Sequence, residues 1–343
     1  MDVTTKKVLF LRAAGDIRPA YAVVVPTHGI GHTYDTIVDA TDGAILWRLN
    51  QLVWDTTQPV TYRVFSADSP APGSPGNATP NGFQFPFVDP QVVTVQPDDI
   101  RAFSPNGWIP DNQSETVGNN TATHADRNGD NAPDLPRPNG GPTRDFSALT
   151  YNSTLDPTAY TNFSVVQMFY WTNWYHDQLY SMGFNEAAGN FQTSNFGNPG
   201  AGNDAVQCDA QDGSGTNNAN WQGTGADGSA NRVQMYIFPA SSAITDRDGT
   251  LDGDVVFHEL THGLSTRLHR GLNLGQPRGM GEGWSDFIGI TLNARPGDDV
   301  EANYCTGGYV TYGFPTGAFF DNYYFGIRRF PYSTNMNVNP LTF

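Results

Sequence analysis

Residues 252–269, DGDVVFHELTHGLSTRLH, and residues 279–287, GMGEGWSDF, decide how the rest of this sequence is read. In the first stretch His258-Glu259-Leu260-Thr261-His262 sets two histidines four apart within an apolar, proline-free run that includes Val255, Val256, Phe257 and Leu264. That run predicts a helix, with Asp252 or Asp254 as its cap. Residues four apart on a helix lie about 40° apart around its axis, so both imidazoles project from one face, one turn apart. Two nitrogens so placed suit a single Zn²⁺ at roughly 2.0 to 2.1 Å. Glu259 is turned by about 100° from His258, which leaves it beside the metal as a base and not on it.

A catalytic zinc wants three protein ligands and an open position for water. The second stretch supplies a carboxylate, Glu282, twenty residues after His262 and at the start of a further helix covering WSDFIGITL, which is expected to open after the glycines around Glu282. Glu282 is the natural third ligand; its bland alternative is a helix-start glutamate favoured by the macrodipole. Asp286, one turn on and on the same face, is placed to accept a hydrogen bond from a ligand imidazole and fix its tautomer, the alternative being a solvated aspartate.

Upstream of these helices the text is different. Residues 7–65 contain β-branched and aromatic runs (KVLFLRAA, PAYAVVV, YDTIVDA, GAILWRL, VTYRVF) separated by turn residues, which predicts strands. Residues 67–160 are rich in Pro, Asn, Gly and Asp and read as long loops with short strands. NFSVVQMFYWTNWYHDQLYSM, within 161–182, has no Gly or Pro and carries apolar residues at helical spacing, and NRVQMYIF at 231–238 reads as a strand. The fold class is α+β, with the chemistry concentrated in 251–343.

Composition narrows the partners. With 34 acidic against 18 basic residues the formal charge is −16, a field that repels phosphate backbones and anionic lipid, so no nucleic acid and no membrane partner is expected. No run approaches the roughly 18 apolar residues of a spanning helix, and the first sixteen residues carry no secretion signal. Cys208 and Cys305 allow one disulfide at most and either pair or stay as buried thiols. Sequons at Asn77, Asn112, Asn119, Asn152 and Asn162 are compatible with secretion.

The other histidines and acidic clusters carry less. His176 reads as a structural residue of the aromatic helix, His269 as a solvated residue on the metal helix, and His28 and His32 sit around a glycine and after a proline, which argues against a ligand-bearing helix. Asp126, Asn128, Asp130 and Asp134 have the spacing of hard oxygen ligands for Ca²⁺, and DRDGTLDGD at 246–254 is similar; solvated acidic turns are the default for both.

Beyond the metal motif, WYHDQLYSMGFNEAAGNFQ, QDGSGTNNANWQGTGADGSANRVQMYIF, DRDGTLDGDVVFHE, GMGEGWSDF and GIRRFPYSTNMNVNP, in this order along the chain up to the positions of the last block, resemble the fungalysin (M36) group of secreted zinc metalloproteases, relatives of thermolysin. The resemblance is close over about 160–343 and looser from residue 60. It implies a thermolysin-like metalloprotease core with long loops, His258, His262 and Glu282 on zinc, Glu259 as general base, and an extracellular location. Residues 1–55 resemble the end of that family's inhibitory propeptide, so the implied organisation is a propeptide remnant at 1–55, a β-rich part at 56–250 and the metal helices at 251–343. Asn217-Asn218-Ala219-Asn220-Trp221 is similar to the edge strand that pairs with substrate in thermolysin-like enzymes, with Asn218 and Ala219 fixing the register of an added peptide strand. The family continues into further helices where this sequence stops at NMNVNPLTF, and no histidine follows His269, which implies an incomplete C-terminal helical lobe and a missing oxyanion donor.

The function that follows is zinc-dependent hydrolysis of internal peptide bonds, with polypeptides as substrates and the propeptide as inhibitor. The rival is a secreted binding module that keeps the fold without the catalysis. Retention of Glu259 favours the enzyme, because a purely structural zinc has no need of a base beside it.

Overall fold

A computed structural model describes residues 4–26, 33–50, 58–66, 69–71, 74–80, 87–240, 244–269, 272, 275–311 and 322–341. The chain divides into two compact units, Met1–Asp55 and Thr56–Phe343. His28 and His32 lie outside the described residues.

The first unit is an antiparallel meander in the order β1 (Thr4–Ala13), β2 (Asp16–Pro26), β3 (Thr33–Asp39) and β4 (Ile45–Asn50). Its β1–β2 turn uses Gly15 at φ 83°, a left-handed conformation that favours glycine. Leu9 and Leu11 of β1 pair with Pro19 and Ile17 of β2, and Leu9, Leu11, Ile17 and Ile45 are exposed.

In the second unit, β5 (Val60–Val64) lies between β6 (Gln91–Val95) and β8 (Asp145–Phe146). The larger sheet has the order β10 (Ala219–Gly223), β11 (Asn231–Met235), β9 (Val206–Ala210) and β7 (Thr121–Ala125). Its three pairings place β7, β9 and β11 parallel and β10 antiparallel to them, and the order leaves β10 at one edge. A two-stranded piece, β12 (Ile237–Phe238) with β13 (Arg247–Asp248), leads into the helix that carries His258 and His262. The strand read at 231–238 is therefore two strands, β11 and β12. The edge strand begins at Ala219, two residues later than its sequence block, because Asn217 sits at φ 53° and breaks the extended run.

Four helices matter here: the short α1 (Pro97–Ile100), then α2 (Thr161–Ser181), α3 (Gly253–Leu268) and α4 (Gln276–Asn293). α2 is buried nearly all round, with Phe163, Val166, Met168 and Phe169 in the core, which fits a helix lacking a polar face. The inward residues of the sheet, Val206, Cys208 and Val233, are also buried in that core. Cys208 and Cys305 are both buried and are not joined in a disulfide. α4 starts six residues before Glu282, not at the glycines around it. Pro277 in its first turn supplies a preset φ, and Gly279, Gly281 and Gly283 are carried inside a helix that packs along α3. Among the described residues no helix is long and apolar enough to cross a membrane.

Candidate metal centre

α3 is fixed from both ends and from behind. Asp252 caps it, its side chain accepting the Asp254 N–H, so of the two candidate caps the first is used. Phe257 sits among Trp171, Trp174 and Tyr175 of α2, with ring centroids 5.5 to 5.9 Å away, and the Thr261 and Tyr175 hydroxyls are 2.8 Å apart. With that face anchored, His258, Glu259 and His262 line a cleft of about 750 Å³. The helix ends at Leu268, so His269 is its C-cap residue and exposed.

The helical spacing does what geometry requires of it. His258 Nε2 and His262 Nε2 stand 3.0 Å apart, and the Glu282 carboxylate is 3.3 Å from the first and 3.6 Å from the second. One ligand atom from each of the three lies within 4.8 Å of the others. The remaining ring nitrogens are spoken for: His258 Nδ1 is 2.7 Å from Asp286 Oδ1, and His262 Nδ1 is 3.3 Å from Ser285 Oγ. A carboxylate on Nδ1 holds the proton there and leaves the Nε2 lone pair for a metal. Two imidazole nitrogens and a carboxylate aimed at one point are the donor set of a tetrahedral zinc with an open fourth position, and these residues fit that ion.

Charge in this cluster is strongly organised. Burial pulls the His258 imidazole down, yet the hydrogen bonds to Asp286 and Glu282 outweigh it and raise its pKa to about 9. His262, half-buried and beside that cation, falls to about 4 through desolvation and the His258 charge. Glu282, hydrogen-bonded to His258, drops to about 2, and Asp286 drops to about 2 because His258 and Arg328 overcome its burial. Burial pushes Glu259 up to about 7. A divalent cation requires both imidazoles neutral, so binding it displaces the His258 proton.

Three contacts escaped the sequence. Arg328 donates from Nε and Nη2 to the two oxygens of Asp286 at 2.5 and 2.6 Å, and its Nη2 lies 3.5 Å from Glu282; the Tyr332 hydroxyl donates to Asp286 at 2.5 Å. Their only signal was the block GIRRFPYSTNMNVNP, which does not say which arginine turns inward: Arg329 lies over the Phe330 ring instead. The third is Trp221. Its backbone N–H reaches the Glu259 carboxylate and partly offsets the effect of burial. Backbone groups alternate in direction along an antiparallel strand, so Ala219 shares the orientation of Trp221 and also faces the cleft. Asn218 lines the cleft just before β10 begins. Gly263 sets how closely strand and helix approach, since a Cβ there would stand 2.5 Å from the Trp221 ring.

The acidic spacings behave differently. Asp130 accepts the Ala132 N–H and the Asn128 amide, and Asp134 accepts the Arg127 N–H, so neither joins Asp126 in one ligand set. Asp126 instead meets Asp209 and Asp212 in a buried trio. In 246–254, Asp248 binds Ser164 and Gln211, Asp252 caps α3 and accepts the Val310 N–H, and Asp254 accepts from Asn293. His176 of α2 sits buried beside Asp177 and Asn190 and does not belong to the His258, His262 and Glu282 cluster.

The pattern of the fungalysin metallopeptidase family (M36) matches residues 77–343. The chain belongs to that family. Fungalysin relatives at comparable distance include Extracellular metalloproteinase 2 of Trichophyton rubrum, 41% identical over 249 residues, covering 70% of this chain and 37% of that protein. Extracellular metalloproteinase MEP of Neosartorya fischeri is 38% identical over 279 residues, 76% of this chain and 40% of its own length. Extracellular metalloproteinase 2 of Phaeosphaeria nodorum is 38% identical over 320 residues, 90% and 45% respectively. This fungalysin chain thus spans less than half the length of the curated relatives it matches.

Proposed function

We propose that this chain is the metal-binding part of an extracellular zinc endopeptidase, with His258, His262 and Glu282 as ligands, Glu259 as general base and polypeptides as substrates. The observation that carries the reading is the convergence of the two Nε2 atoms and the Glu282 carboxylate, with Glu259 lining the same cleft. A zinc held by these three residues would lower the pKa of a bound water and polarise the scissile carbonyl. Glu259, with a carboxyl raised to about 7 by burial, accepts the proton of the attacking water and returns it to the departing amine nitrogen. Asp286 keeps His258 in the tautomer a ligand needs, and Arg328 holds Asp286 charged. The open edge of β10, with the backbone of Ala219 and Trp221 turned outward and Asn218 at its entrance, accepts the substrate as an added strand.

Residues 1–55 are proposed as the remnant of an inhibitory propeptide, on the strength of their separate compact unit and their resemblance to that segment. Calcium has no place in the proposal, because the acidic loops spend their carboxylates on caps and turns. The binding-module alternative is not favoured, since Glu259 is both present and placed at the cleft. The deciding experiment measures zinc content of the purified chain and its cleavage of an unstructured protein with and without a chelator. We expect about one zinc per chain and chelator-sensitive cleavage that Glu259→Gln abolishes without loss of zinc; turnover undiminished in Glu259→Gln removes the general base.

A further inference from the structure

α3 and α4 run antiparallel, joined by three side-chain pairs. Asp254 meets Asn293 at 2.7 Å, His258 meets Asp286 at 2.7 Å and His262 meets Glu282 at 3.6 Å. From His258–Asp286 to His262–Glu282 one turn forward on α3 is answered by one turn back on α4, whereas the step from Asp254–Asn293 is about two turns on α4; continued at the one-turn spacing, the next pair is Thr266 with Arg278. Both line the cleft, and so do Gly223 and Thr224. The neighbouring Gly225 packs on Thr266 as well, its would-be Cβ 2.6 Å from the Thr266 carbonyl. Arg278 therefore lines the cleft toward the C-terminal end of α3, beside Gly223 and Thr224 where β10 ends.

Every other described charged group lining the cleft is engaged: Glu282 with His258, His262 and Arg328; Arg328 with Asp286; Glu259 with the Trp221 N–H. The Arg278 backbone N–H donates to the Gly275 carbonyl, but its guanidinium has no ion pair or hydrogen bond to any described residue. A surface arginine without a partner is ordinary, but this one sits in a concave wall about 6 Å along the helix from Glu282, within two extended residues of the metal ligands. The whole chain carries −16, so long-range attraction favours basic peptides and cannot by itself select an acidic one.

We propose that Arg278 forms a specificity subsite for an acidic side chain of the polypeptide substrate, on the stretch of substrate that lies along Trp221–Thr224. The inference rests on the peptidase reading above and names its substrate class more closely. The pairing of one carboxylate with one guanidinium in a wet cleft is modest, and repulsion of a lysine at the same place doubles the contrast. The expected Glu-over-Lys preference is about three- to ten-fold at one substrate position, weakening in about 0.5 M salt.

The test uses the full chain, zinc-loaded, carrying Glu259→Gln so that peptides are bound and not consumed. Fluorescently labelled neutral decapeptides, each with a single Glu, Gln or Lys moved through the sequence, are titrated and their Kd values compared. The same set is then run with Arg278→Gln and Arg278→Glu added. Support is a Glu preference at one position that flattens in Arg278→Gln and reverses in Arg278→Glu. Equal Kd values for Glu and Lys peptides at every position, or a preference that survives Arg278→Glu, overturn the subsite alone. If no peptide binds at all, the substrate reading itself falls and the subsite with it.

Discussion

Two trios of ligand-type side chains bring their donor atoms within 4.8 Å in this protein, and they are built in opposite ways. In the first, His258, His262 and Glu282, the convergent atoms have little else to do: the two Nε2 atoms face each other at 3.0 Å, and at most one proton can lie between them. In the second, Asp126, Asp209 and Asp212, the oxygens are already served. Asp126 accepts the Asp130 and Asn131 N–H groups, Asp212 accepts Ser214 N–H and the Gln234 amide, and Asp209 is paired with Arg232. Only the second oxygen of Asp209 lacks a hydrogen bond, and it lies 2.9 Å from His124 Nε2. Proximity of ligand types therefore does not identify a metal site; unspent donor capacity does.

The largest effect that can break this comparison is expected at the first trio. His262→Ala is expected to leave no zinc after dialysis against a weak chelator; a variant that keeps a full equivalent would show that the two trios had been ranked wrongly. Next, Asp286→Asn removes the charge that orients His258 and should weaken zinc about 10- to 100-fold, read by competition with a chromogenic chelator. Unchanged affinity would mean that Arg328 and Tyr332, not His258, are what Asp286 serves. At the second trio, Asp212→Ala strands the Gln234 amide and the Ser214 N–H and should cost about 1 to 3 kcal/mol in denaturant unfolding, with zinc content unaltered. Zinc lost in that variant would couple the trios. The smallest effect is calcium: at 1 mM we expect a change in Tm below about 1 °C, and a rise of several degrees would reveal capacity in the acidic trio that its hydrogen bonds conceal.

Legibility followed sequence distance. His258 and His262 could be placed because one helix fixes their relation, and α2 because its apolar run has no breaker. The start of α4 was misplaced because Gly279, Gly281 and Gly283 look like punctuation, whereas packing along α3 overrides their poor helix propensity. Arg328 and Tyr332 reach Asp286 from 42 and 46 residues away, across a stretch with no periodicity that could announce it. The acidic loop was readable as acidic, but which carboxylates turn inward depends on strands β9 and β11, far away in the text. Trp221's amide became legible only when β10 was seen to lie at the sheet edge, with Gly263 allowing its close approach to α3.

The pairing of α3 with α4 has a bearing on how such chains tolerate insertions. What the centre needs from α4 is phase: Glu282, Asp286 and Asn293 must return to the same side of one helix. The number of residues between Leu268 and Gln276, by contrast, is not written into that phase. An inserted pair of residues between the helices leaves the angular positions of these side chains untouched, while a single residue added between Glu282 and Asp286 turns one by about a further 100° relative to the other and parts Glu282 from Asp286. Search patterns for sequences of this kind gain more from a fixed Glu-to-Asp step of four than from a fixed count after the second histidine.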